Sequence, residues 1–310
     1  MTRPIRIGTR GSKLALWQAG EVKRRLEAGG HSSSIQIVRT TGDTRQDVSL
    51  ASIGGKGVFI KELEEALERD QIDLAVHSLK DVPSRLPEEF RLAAFLERGD
   101  PHDVWVHRTG MPVDAVAGGT VVGTSAPRRR AQLRSLYPHL DLRDIRGNVD
   151  SRIFKVQSGV YDAAVLACAG LQRLGRDDVI TGVFTVDTMI PAAGQGIVAV
   201  ETLASRADLN DTLATINHEE TEAVARCERG VLDRFGTTLD CHSAVAVHAT
   251  LRAEALTIHA FLSDSEGGDA IRVKRVGERA RPESVVAAVA DELIAKGALE
   301  ILGRPVVEQS

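Results

Sequence analysis

The chain has 310 residues, 43% of them hydrophobic, so it is long enough for two or three domains and apolar enough to build real cores. Its net charge of −4 argues against a generally basic protein that binds nucleic acid, and aromatic residues at 4% leave few platforms for stacked bases. The three cysteines have unrelated spacings, which indicate neither a disulfide framework nor a zinc site, and no metal is expected. The first residues lack an apolar signal segment, and no apolar run reaches the length of a membrane span. We therefore expect a cytoplasmic protein with no membrane or nucleic-acid partner.

The first third of the chain alternates strand-like and helical patterns. Residues 5–7 predict a strand, and Ser12 is a suitable N-cap for a helix that ends at Gly29. Further strands are predicted at residues 35–37 and 72–76, with a helix between them. The apolar stripes of the two helices are Ala15, Ala19, Val22 and Leu26 in the first and Phe59, Leu63, Ala66 and Leu67 in the second. This alternation is typical of a parallel α/β sheet.

The middle of the chain repeats this scheme. Residues 122–128 (VGTSAPR) are similar to residues 7–12 (IGTRGS), and residues 162–166 (DAAVL) are similar to residues 73–77 (DLAVH). The shared order predicts two related α/β lobes. In each lobe a Gly-Thr turn lies at a helix N-terminus, where free backbone N–H groups and the helix dipole favour anions. The alternative is that Gly-Thr is only turn chemistry.

The last third changes to a helix followed by alternating segments. Residues 219–235 predict the helix, and residues 245–249 and 256–262 predict strands. A terminal helix has an apolar side formed by Val285, Val286, Val289 and Leu293. This pattern predicts a small α+β domain. His248 and His259 lie in its strands without a partner at metal-ligand spacing, so we interpret both as structural or exposed.

Cys241 lies between the predicted helix and the first of these strands, downstream of many basic residues. Arginines are concentrated between Arg128 and Arg173, with only scattered acids among them. A nucleophilic thiol together with many guanidinium groups indicates a polyanion held covalently in a cleft. The alternatives are that Cys241, like Cys168 and Cys227, is a small buried hydrophobe, and that the arginines form a solvated helical face.

Taken in order, several blocks of this sequence resemble the porphobilinogen deaminase family, also called hydroxymethylbilane synthase. The blocks are residues 6–12 (RIGTRGS), 16–19 (LWQA), 54–63 (GGKGVFIKEL), 75–83 (AVHSLKDVP), 122–129 (VGTSAPRR), 146–149 (RGNV), 166–175 (LACAGLQRLG) and 191–196 (PAAGQG). They are collinear, and the similarity continues to Val247. The His-Ser-x-Lys-Asp-x-Pro block together with the Arg-Arg and Arg-Gly-Asn blocks is highly specific for this family.

The resemblance implies an α/β fold with two lobes like periplasmic binding proteins, each built on a parallel-rich sheet. It also implies a small α+β C-terminal domain that carries the primer cysteine on a loop. We expect lobe 1 to consist of residues 1–97 with 197–216, lobe 2 of residues 98–196, and the C-terminal domain of residues 217–310.

The resemblance also implies a transferase of tetrapyrrole and heme biosynthesis. Members of the family join four porphobilinogen molecules head to tail into hydroxymethylbilane, with release of ammonia each time, on a dipyrromethane primer thioether-linked to one cysteine. Cys241 aligns with that cysteine, so dipyrromethane on Cys241 is the expected cofactor and porphobilinogen the expected substrate of a monomer. The alternative from another class is a non-enzymatic two-lobe protein that binds a dicarboxylate.

The resemblance assigns roles to individual residues. Asp81 is the implied catalytic carboxylate, although turn statistics alone make it equally well a turn residue. Residues implied at the cofactor are Cys241, Lys80, Arg128, Arg129, Ser78, Thr124 and Ser125. Residues implied at the substrate are Arg10, Ser12, Gln18, Arg146, Arg152, Arg173 and Gln195. Guanidinium groups suit this task because each pyrrole carries an acetate and a propionate, and guanidinium pairs with carboxylates bidentately.

A polar, glycine-rich segment at residues 40–57 is long for a simple connection and is predicted to be a mobile loop. Residues 54–59 resemble the family's cleft loop, which implies that Lys56 and Phe59 cover the site.

The departures from the family pattern lie mainly around the primer cysteine. Asp240 precedes Cys241, and Ala244 and Ala246 stand where the family often has a proline and a glycine. Loss of the glycine restricts the backbone, and Asp240 places a negative charge beside the thiol. Ala126 replaces a hydroxyl that is common two residues before the arginine pair.

Overall fold

The computed structural model describes residues 3–40, 60–239, 243–264 and 267–303. It divides into two compact units, which we call unit 1 (Met1–Gly99 and Gly196–Ala225) and unit 2 (Asp100–Gln195 and Arg226–Ser310). The three-part domain division expected from the sequence stays a prediction. None of the helices in these described segments is long and apolar enough to cross a membrane.

The strands form three sheets. In chain order they are β1 (Ile5–Thr9), β2 (Ser33–Ile37), β3 (Leu74–Ser78), β4 (Phe90–Phe95), β5 (Asp103–His107), β6 (Val121–Gly123), β7 (Asp141–Arg143), β8 (Ala163–Ala167), β9 (Gly182–Val183), β10 (Val198–Leu203), β11 (Ala244–Arg252), β12 (Ala255–Ser263) and β13 (Ala270–Glu278). The helices are α1 (Lys13–Ala28), α2 (Lys61–Glu68), α3 (Pro127–Leu136), α4 (Val149–Gln157), α5 (Cys168–Arg173), α6 (Asn210–Ala214), α7 (Glu219–Asp233), α8 (Pro282–Ala295) and α9 (Ala298–Leu302).

Sheet 1 lies in unit 1 and has the strand order β2-β1-β3-β10-β4. β1 is parallel to β2 and β3, whereas β10 is antiparallel to both of its neighbours. The chain leaves unit 1 at Gly99 and returns at Gly196, so β10 joins this sheet only after the first part of unit 2 has been traversed.

Helix α1 begins and ends as its sequence predicts. The Ser12 hydroxyl oxygen accepts a hydrogen bond from the backbone N–H of Ala15 at 3.2 Å, and the N–H of Gly29 donates to the carbonyl of Arg25. The predicted apolar stripe is buried, and three of its members pack into the core of sheet 1: Ala19, Val22 and Leu26. In α2 the residues of the predicted stripe within the described segments are also buried, namely Leu63, Ala66 and Leu67.

Sheet 2 lies in unit 2 and repeats this arrangement with the strand order β7-β6-β8-β5-β9. β6 is parallel to β7 and β8, and β5 is antiparallel to β8 and β9. Each sheet is thus a parallel trio extended by one antiparallel strand and an edge strand. The predicted repeat of two related α/β lobes with parallel-rich sheets is confirmed.

The Gly-Thr pairs of the two repeats have a packing role beyond turn chemistry. The backbone of Gly8 lies close to the side chain of Ile72. A Cβ atom added at Gly8 would lie 2.2 Å from Cδ1 of Ile72. In the same way, a Cβ at Gly123 would meet Cδ1 of Ile145 at 2.8 Å. Glycine is therefore needed at both positions because a neighbouring isoleucine packs directly on the backbone.

Sheet 3 is antiparallel, with the order β11-β12-β13, and helix α8 packs against β12 and β13. The α+β character predicted for this region is confirmed. Strand β13 was not predicted because it is an edge strand whose alternate side chains, including Arg272 and Lys274, are charged and exposed.

A small apolar cluster joins sheet 3 to helix α3 within unit 2. Its members are Ala131, Ile190, Ala244, Ala246 and Phe261, each at most 3% exposed. The two alanines that replace the family's proline and glycine are therefore core residues at the start of β11. Their small side chains let α3 approach β11 closely.

An ion-pair network surrounds Asp73 in unit 1. The Asp73 side chain is 2% exposed and accepts hydrogen bonds from the backbone N–H and Nε of Arg6, from Arg3 and from Arg206, at 2.8 to 3.0 Å. Burial alone raises the pKa of the Asp73 carboxyl, but the bonds from Arg6 and Arg206 outweigh it and hold the pKa below its ordinary value.

Replacing Asp73 with Asn should destabilise unit 1 by about 2 kcal/mol at neutral pH, because a buried partner of several cations is lost. The folded pKa of Asp73 lies below its unfolded pKa of about 3.9, so the stabilisation is present above that value and is lost as the pH falls through the folded pKa. The difference between wild type and Asp73→Asn in urea unfolding should therefore shrink below about pH 4. Asp208→Asn is the control, since that carboxylate pairs with the same Arg206 but is 61% exposed. Equal destabilisation by both changes would contradict the assignment.

Candidate functional site

The residues assigned by resemblance cluster after the carboxyl ends of parallel strands. In unit 1, Arg10 follows β1, and Lys80 and Asp81 follow β3. In unit 2, Thr124 follows β6 and Arg146 follows β7. Because carboxyl ends of parallel strands meet at one edge of a sheet, each unit presents its predicted residues along one edge.

In unit 1 this edge is ordered by a buried amide. Gln18 is 2% exposed on α1, and its Nε2 donates to the Ser78 hydroxyl at 2.8 Å. Ser12 uses its hydroxyl as the cap of the same helix. This contact brings together Gln18, predicted at the substrate, and Ser78, predicted at the cofactor, and it fixes α1 and β3 to each other.

Lys80 and Asp81 lie in a single 3₁₀ turn, Leu79–Asp81, directly after β3. Leu79 is buried and anchors the turn, while Lys80 and Asp81 are partly exposed. The backbone N–H of Val82 closes the turn on the carbonyl of Leu79 at 3.0 Å. The turn therefore presents an ammonium and a carboxylate side by side from a rigid strand end. Arg10, also partly exposed, follows the neighbouring strand.

In unit 2 the main feature is a pair of buried arginines at the start of α3. Pro127 occupies the first turn of the helix, and Arg128 and Arg129 follow it at 6% and 5% exposure. Arginine is rarely this buried without a partner. The partner is Asp103, the first residue of β5, which is fully buried.

Asp103 bridges both guanidinium groups. Its Oδ2 accepts from Arg128 Nη1 at 2.5 Å, and its Oδ1 accepts from Arg128 Nη2 at 3.1 Å and from Arg129 Nη2 and Nε at 2.7 and 3.0 Å. We call Arg128, Arg129 and Asp103 the Asp103 cluster. Burial alone raises the pKa of the Asp103 carboxyl, but the two cations outweigh it and hold the pKa below its ordinary value. Burial lowers the pKa of Arg129, and Asp103 opposes that effect.

Gln195 completes this arrangement. Its side chain is fully buried; its Oε1 accepts from Arg128 Nη2 at 3.0 Å, and its Nε2 donates to Asp103 at 2.9 Å and to the Pro101 carbonyl at 2.7 Å. The carbonyl of Ile190 accepts from Arg128 Nη1 at 3.2 Å. Gln195 was predicted beside the substrate, and its described contacts are to Arg128, Asp103 and the backbone of Pro101.

The Asp103 cluster fits an anionic ligand by its charge and its donors. Two guanidinium groups against one carboxylate leave one net positive charge. Each guanidinium has five N–H donors, of which Arg128 uses four and Arg129 three on described protein acceptors. A buried surplus cation with spare donors is the arrangement that a ligand carboxylate would complete.

The remaining predicted residues of unit 2 surround two helix starts. The Ser125 hydroxyl donates to the carbonyl of Ile145 at 2.7 Å, and Thr124 is 1% exposed. Asn148 caps α4 by accepting from the Ser151 N–H, which places Arg146 just before the helix and Arg152 in its first turn. Arg152 Nε donates to the Gly147 carbonyl at 2.9 Å.

Arg173 ends α5 and is partly buried. Burial lowers the pKa of its guanidinium to about 10, because a charged group loses hydration there. Arg173 thus keeps its charge at neutral pH, and a ligand carboxylate nearby would offset the cost of its burial.

Two of the three cysteines are inert core residues. Cys168 and Cys227 are 3% and 5% exposed. Burial raises their thiol pKa to about 12 and about 11, with Asp100 and Glu228 as further causes. This agrees with their interpretation as small hydrophobes.

Several predicted residues lie outside the described residues. They are Lys56, Phe59, Asp240 and Cys241. The described chain resumes at Ser243, and Ala244 starts β11 in the same unit as the Asp103 cluster.

Asp103, the buried partner of the predicted arginine pair, is the residue of this candidate site that the sequence analysis missed. The available signal was an acid at the first position of the apolar strand Asp103–His107, where a charged residue needs a buried partner. Its identity as the shared partner of the arginine pair depends on contacts between residues 25 and 26 positions apart, which no local pattern reveals.

A family model described as "Porphobilinogen deaminase, dipyromethane cofactor binding domain" matches residues 5–211. Two relatives named porphobilinogen deaminase come from Desulfitobacterium hafniense and Syntrophobacter fumaroxidans. The first is 41% identical over 300 residues, which cover 96% of this chain and 96% of the relative. The second is 40% identical over 304 residues, which cover 97% of each.

Among solved structures, the chain is similar to the periplasmic VFT2 domain of BvgS from Bordetella pertussis, with 16% identity, 71% of this chain and 90% of that one covered, and a TM-score of 0.41. This likeness is too low to add to the fold described above. The family model covers more than half of the chain, and the two relatives match it over nearly its full length. The chain therefore belongs to the porphobilinogen deaminase family.

Proposed function

We propose that this enzyme carries its dipyrromethane primer on Cys241, binds the primer's carboxylates with the Asp103 cluster and Lys80, and uses Asp81 as its catalytic carboxylate. As a member of its family the chain is a transferase that condenses four porphobilinogen molecules into hydroxymethylbilane and releases ammonia at each step. The observation that carries the proposed site is the buried, net positive Asp103 cluster, because a polycarboxylate is the ligand whose charge it fits.

The position of Cys241 along the chain supports its role. Ala244 packs in one cluster with Ala131, and Ala131 lies one turn after Arg128 on α3. Three residues of chain span at most about 10 Å. A thioether on Cys241 therefore starts within a short reach of the helix that carries both arginines.

Lys80, Ser78, Thr124 and Ser125 complete the proposed primer site. Ser78 and Ser125 are already hydrogen-bonded to Gln18 and Ile145, so each would act mainly by shaping the end of the strand that it follows or ends, β3 and β6 respectively.

The proposed substrate site uses cations that follow strand ends or lie at helix termini. Its proposed residues are Arg10, Ser12, Gln18, Arg146, Arg152 and Arg173. Each incoming pyrrole brings two carboxylates, which guanidinium groups bind bidentately. Gln195 acts through Arg128, since its amide is fully engaged with Arg128 and Asp103.

Asp81 is suited to reactions that pass through positive charge. The bound primer, when present, supplies the pyrrole carbon that attacks porphobilinogen. In each addition the substrate's C–N bond breaks and ammonia leaves, a C–C bond forms, and one pyrrole C–H proton is lost. The Asp81 carboxylate would stabilise the cationic methylene on the substrate and take up that proton. Lys56 and Phe59 are proposed to cover the site during these steps.

We also propose a cytoplasmic monomer. A cysteine that must stay reduced for alkylation requires a reducing compartment, and all the proposed residues come from one chain. Sedimentation of the purified protein tests the monomer, and fractionation of the source cells tests the location.

The first prediction concerns the primer. Protein from cells that make porphobilinogen should exceed its polypeptide mass by two porphobilinogen units less two ammonia molecules, because the thiol is alkylated once by a two-ring unit. Intact-mass measurement should show no excess for Cys241→Ser. Cys227→Ser is the control and should keep the excess, since that thiol is buried and protonated. An unmodified wild-type mass would contradict the proposal.

The arginines should differ in what they bind. Arg128→Ala and Arg129→Ala should yield mainly primer-free protein, because primer carboxylates lose their partners and Asp103 is left with fewer cations. Arg10→Ala and Arg173→Ala should keep the primer but elongate it poorly. Arg143→Ala is the control, since that side chain is 60% exposed and pairs with Asp141. Intact mass measures the primer content of each variant, and steady-state turnover measures elongation. Full primer content with normal turnover in all four variants would refute these assignments.

Asp81→Asn should lower the turnover number by at least about a hundredfold, because an isosteric amide cannot stabilise a cation or accept its proton. Primer content and thermal stability should stay close to wild type. Asp208→Asn is the matched control, an acid in another 3₁₀ turn of unit 1. Single-turnover release of ammonia is the measurement, and an unchanged rate in Asp81→Asn would exclude the role.

A further inference from the structure

A hydrogen-bonded path leads from sheet 3 to the Asp103 cluster, and it lies entirely within unit 2. It starts at Arg272 on β13, well beyond the residues 5–211 that the family model matches. It passes through Gln132 on α3 and the backbone of Ile190, and it ends on the guanidinium group of Arg128.

Gln132 is the centre of this path. Its side chain is fully buried, and its Oε1 accepts from the N–H of Ile190 at 2.8 Å and from Arg272 Nη2 at 3.2 Å. Its Nε2 donates to the carbonyls of Ile190 and Arg128, both at 3.1 Å. All four hydrogen-bonding positions of the amide are used, and the reversed amide would turn donors against donors at Ile190 and Arg272. Arg272 has only donors, so it selects the orientation that the path needs.

Arg272 also holds the turn that precedes Ile190. Its Nη1 donates to the carbonyl of Asp187 at 3.1 Å, and its Nη2 donates to the carbonyl of Thr188 at 3.0 Å. The guanidinium carbon lies 5.2 Å from the centroid of the Phe261 ring. Phe261 is the direct cross-strand partner of Arg272, so the register of β12 and β13 places the cation over the ring.

The end of the path bears on ligand binding. The Ile190 carbonyl and Asp103 both accept from Arg128 Nη1, which fixes the plane of that guanidinium at two points. If Ile190 shifted, Arg128 would keep its bonds to both oxygens of Asp103 and to Gln195 but would lose its fourth bond, so its remaining N–H donor would be held less tightly in one direction. The direction of the Arg128 N–H donors matters because a guanidinium group binds a carboxylate bidentately only in a narrow range of orientations.

We propose that Arg272 is a positioning residue for primer binding: it orients Gln132 and the turn at residues 187–190, so that the Ile190 carbonyl holds Arg128 ready for the primer's carboxylates. The inference rests on the proposed role of Arg128 as a primer ligand. It makes sheet 3 a contributor to the primer site through hydrogen bonds as well as through the cysteine loop.

The test measures primer loading by intact mass in protein from cells that make porphobilinogen, together with thermal stability. Arg272→Met keeps an unbranched side chain over Phe261 but removes every donor. The ratio of primer-free to primer-bearing protein should rise at least about tenfold, as expected for loss of a charge-assisted hydrogen bond. Arg272→Lys should fall between wild type and Arg272→Met, because an ammonium keeps the charge but lacks the planar fork.

Two controls separate positioning from stability. Lys274→Met removes an ammonium from the same strand that lies 3.2 Å from the Asp187 carboxylate, and among the described residues its bond goes to Asp187 and not to Gln132, so this variant should load as wild type. Val273→Ala removes buried volume from the same strand and lowers stability without touching the path. It too should load as wild type, whereas a primer-free fraction as large as that of Arg272→Met at equal stability would overturn the proposal.

Further variants distinguish the positioning role of Arg272 from the proposed role of Arg128 as a primer ligand. Gln132→Met should lower loading like Arg272→Met, and the double variant should be no worse than either single one, because both changes break one path. Normal loading of Arg272→Met while Arg128→Ala is primer-free would overturn the positioning role alone. Normal loading of Arg128→Ala would instead overturn the proposed ligand role of Arg128.

Discussion

The buried carboxylate of Asp103 is the constraint on which unit 2 depends. Two guanidinium groups at 5–6% exposure would be strongly destabilising without it, since burying an unpaired charge costs several kcal/mol. The single carboxylate of Asp103 pairs with both guanidinium groups, but one net positive charge remains. A second acid at this place would have neutralised that surplus charge. In the proposed primer site, a ligand carboxylate would compensate this charge.

The two units solve the same geometric problem with the same device. In sheets 1 and 2 the chemistry-bearing residues leave from the carboxyl ends of a parallel trio, and a glycine just before each exit lets an isoleucine pack on the backbone. Gly8 and Gly123 are therefore determined by packing, while the threonines after them are nearly fully buried. The repeated sequence motif records this packing requirement as well as any anion-binding function.

Local patterns were sufficient for elements whose determinants are close in sequence. The cap at Ser12 and the apolar stripe of α1 are of this kind. Strand β13 was not predicted because its exposed charged residues interrupt the apolar alternation. The role of Asp103 was not predicted because its partners are distant along the chain. The resemblance to a family named the chemistry of the site, but it could not show that Gln195 turns its amide to Arg128. Partner choice among buried polar groups is a three-dimensional property that spacing does not encode.

Because β10 joins sheet 1 late in the sequence, it determines the order in which sheets 1 and 2 can form while the chain is synthesised. β10 sits between β3 and β4, yet roughly a hundred residues separate the end of β4 from its start, so a nascent chain cannot close sheet 1 when β4 emerges. All five strands of sheet 2 lie between Asp103 and Val183 and leave the ribosome without interruption. Sheet 2 can therefore form before sheet 1 is complete. Until β10 has been synthesised, β3 is an unpaired sheet edge that must be shielded from pairing with other chains. The strand that carries Asp81 at its end is thus among the last parts of its sheet to be completed.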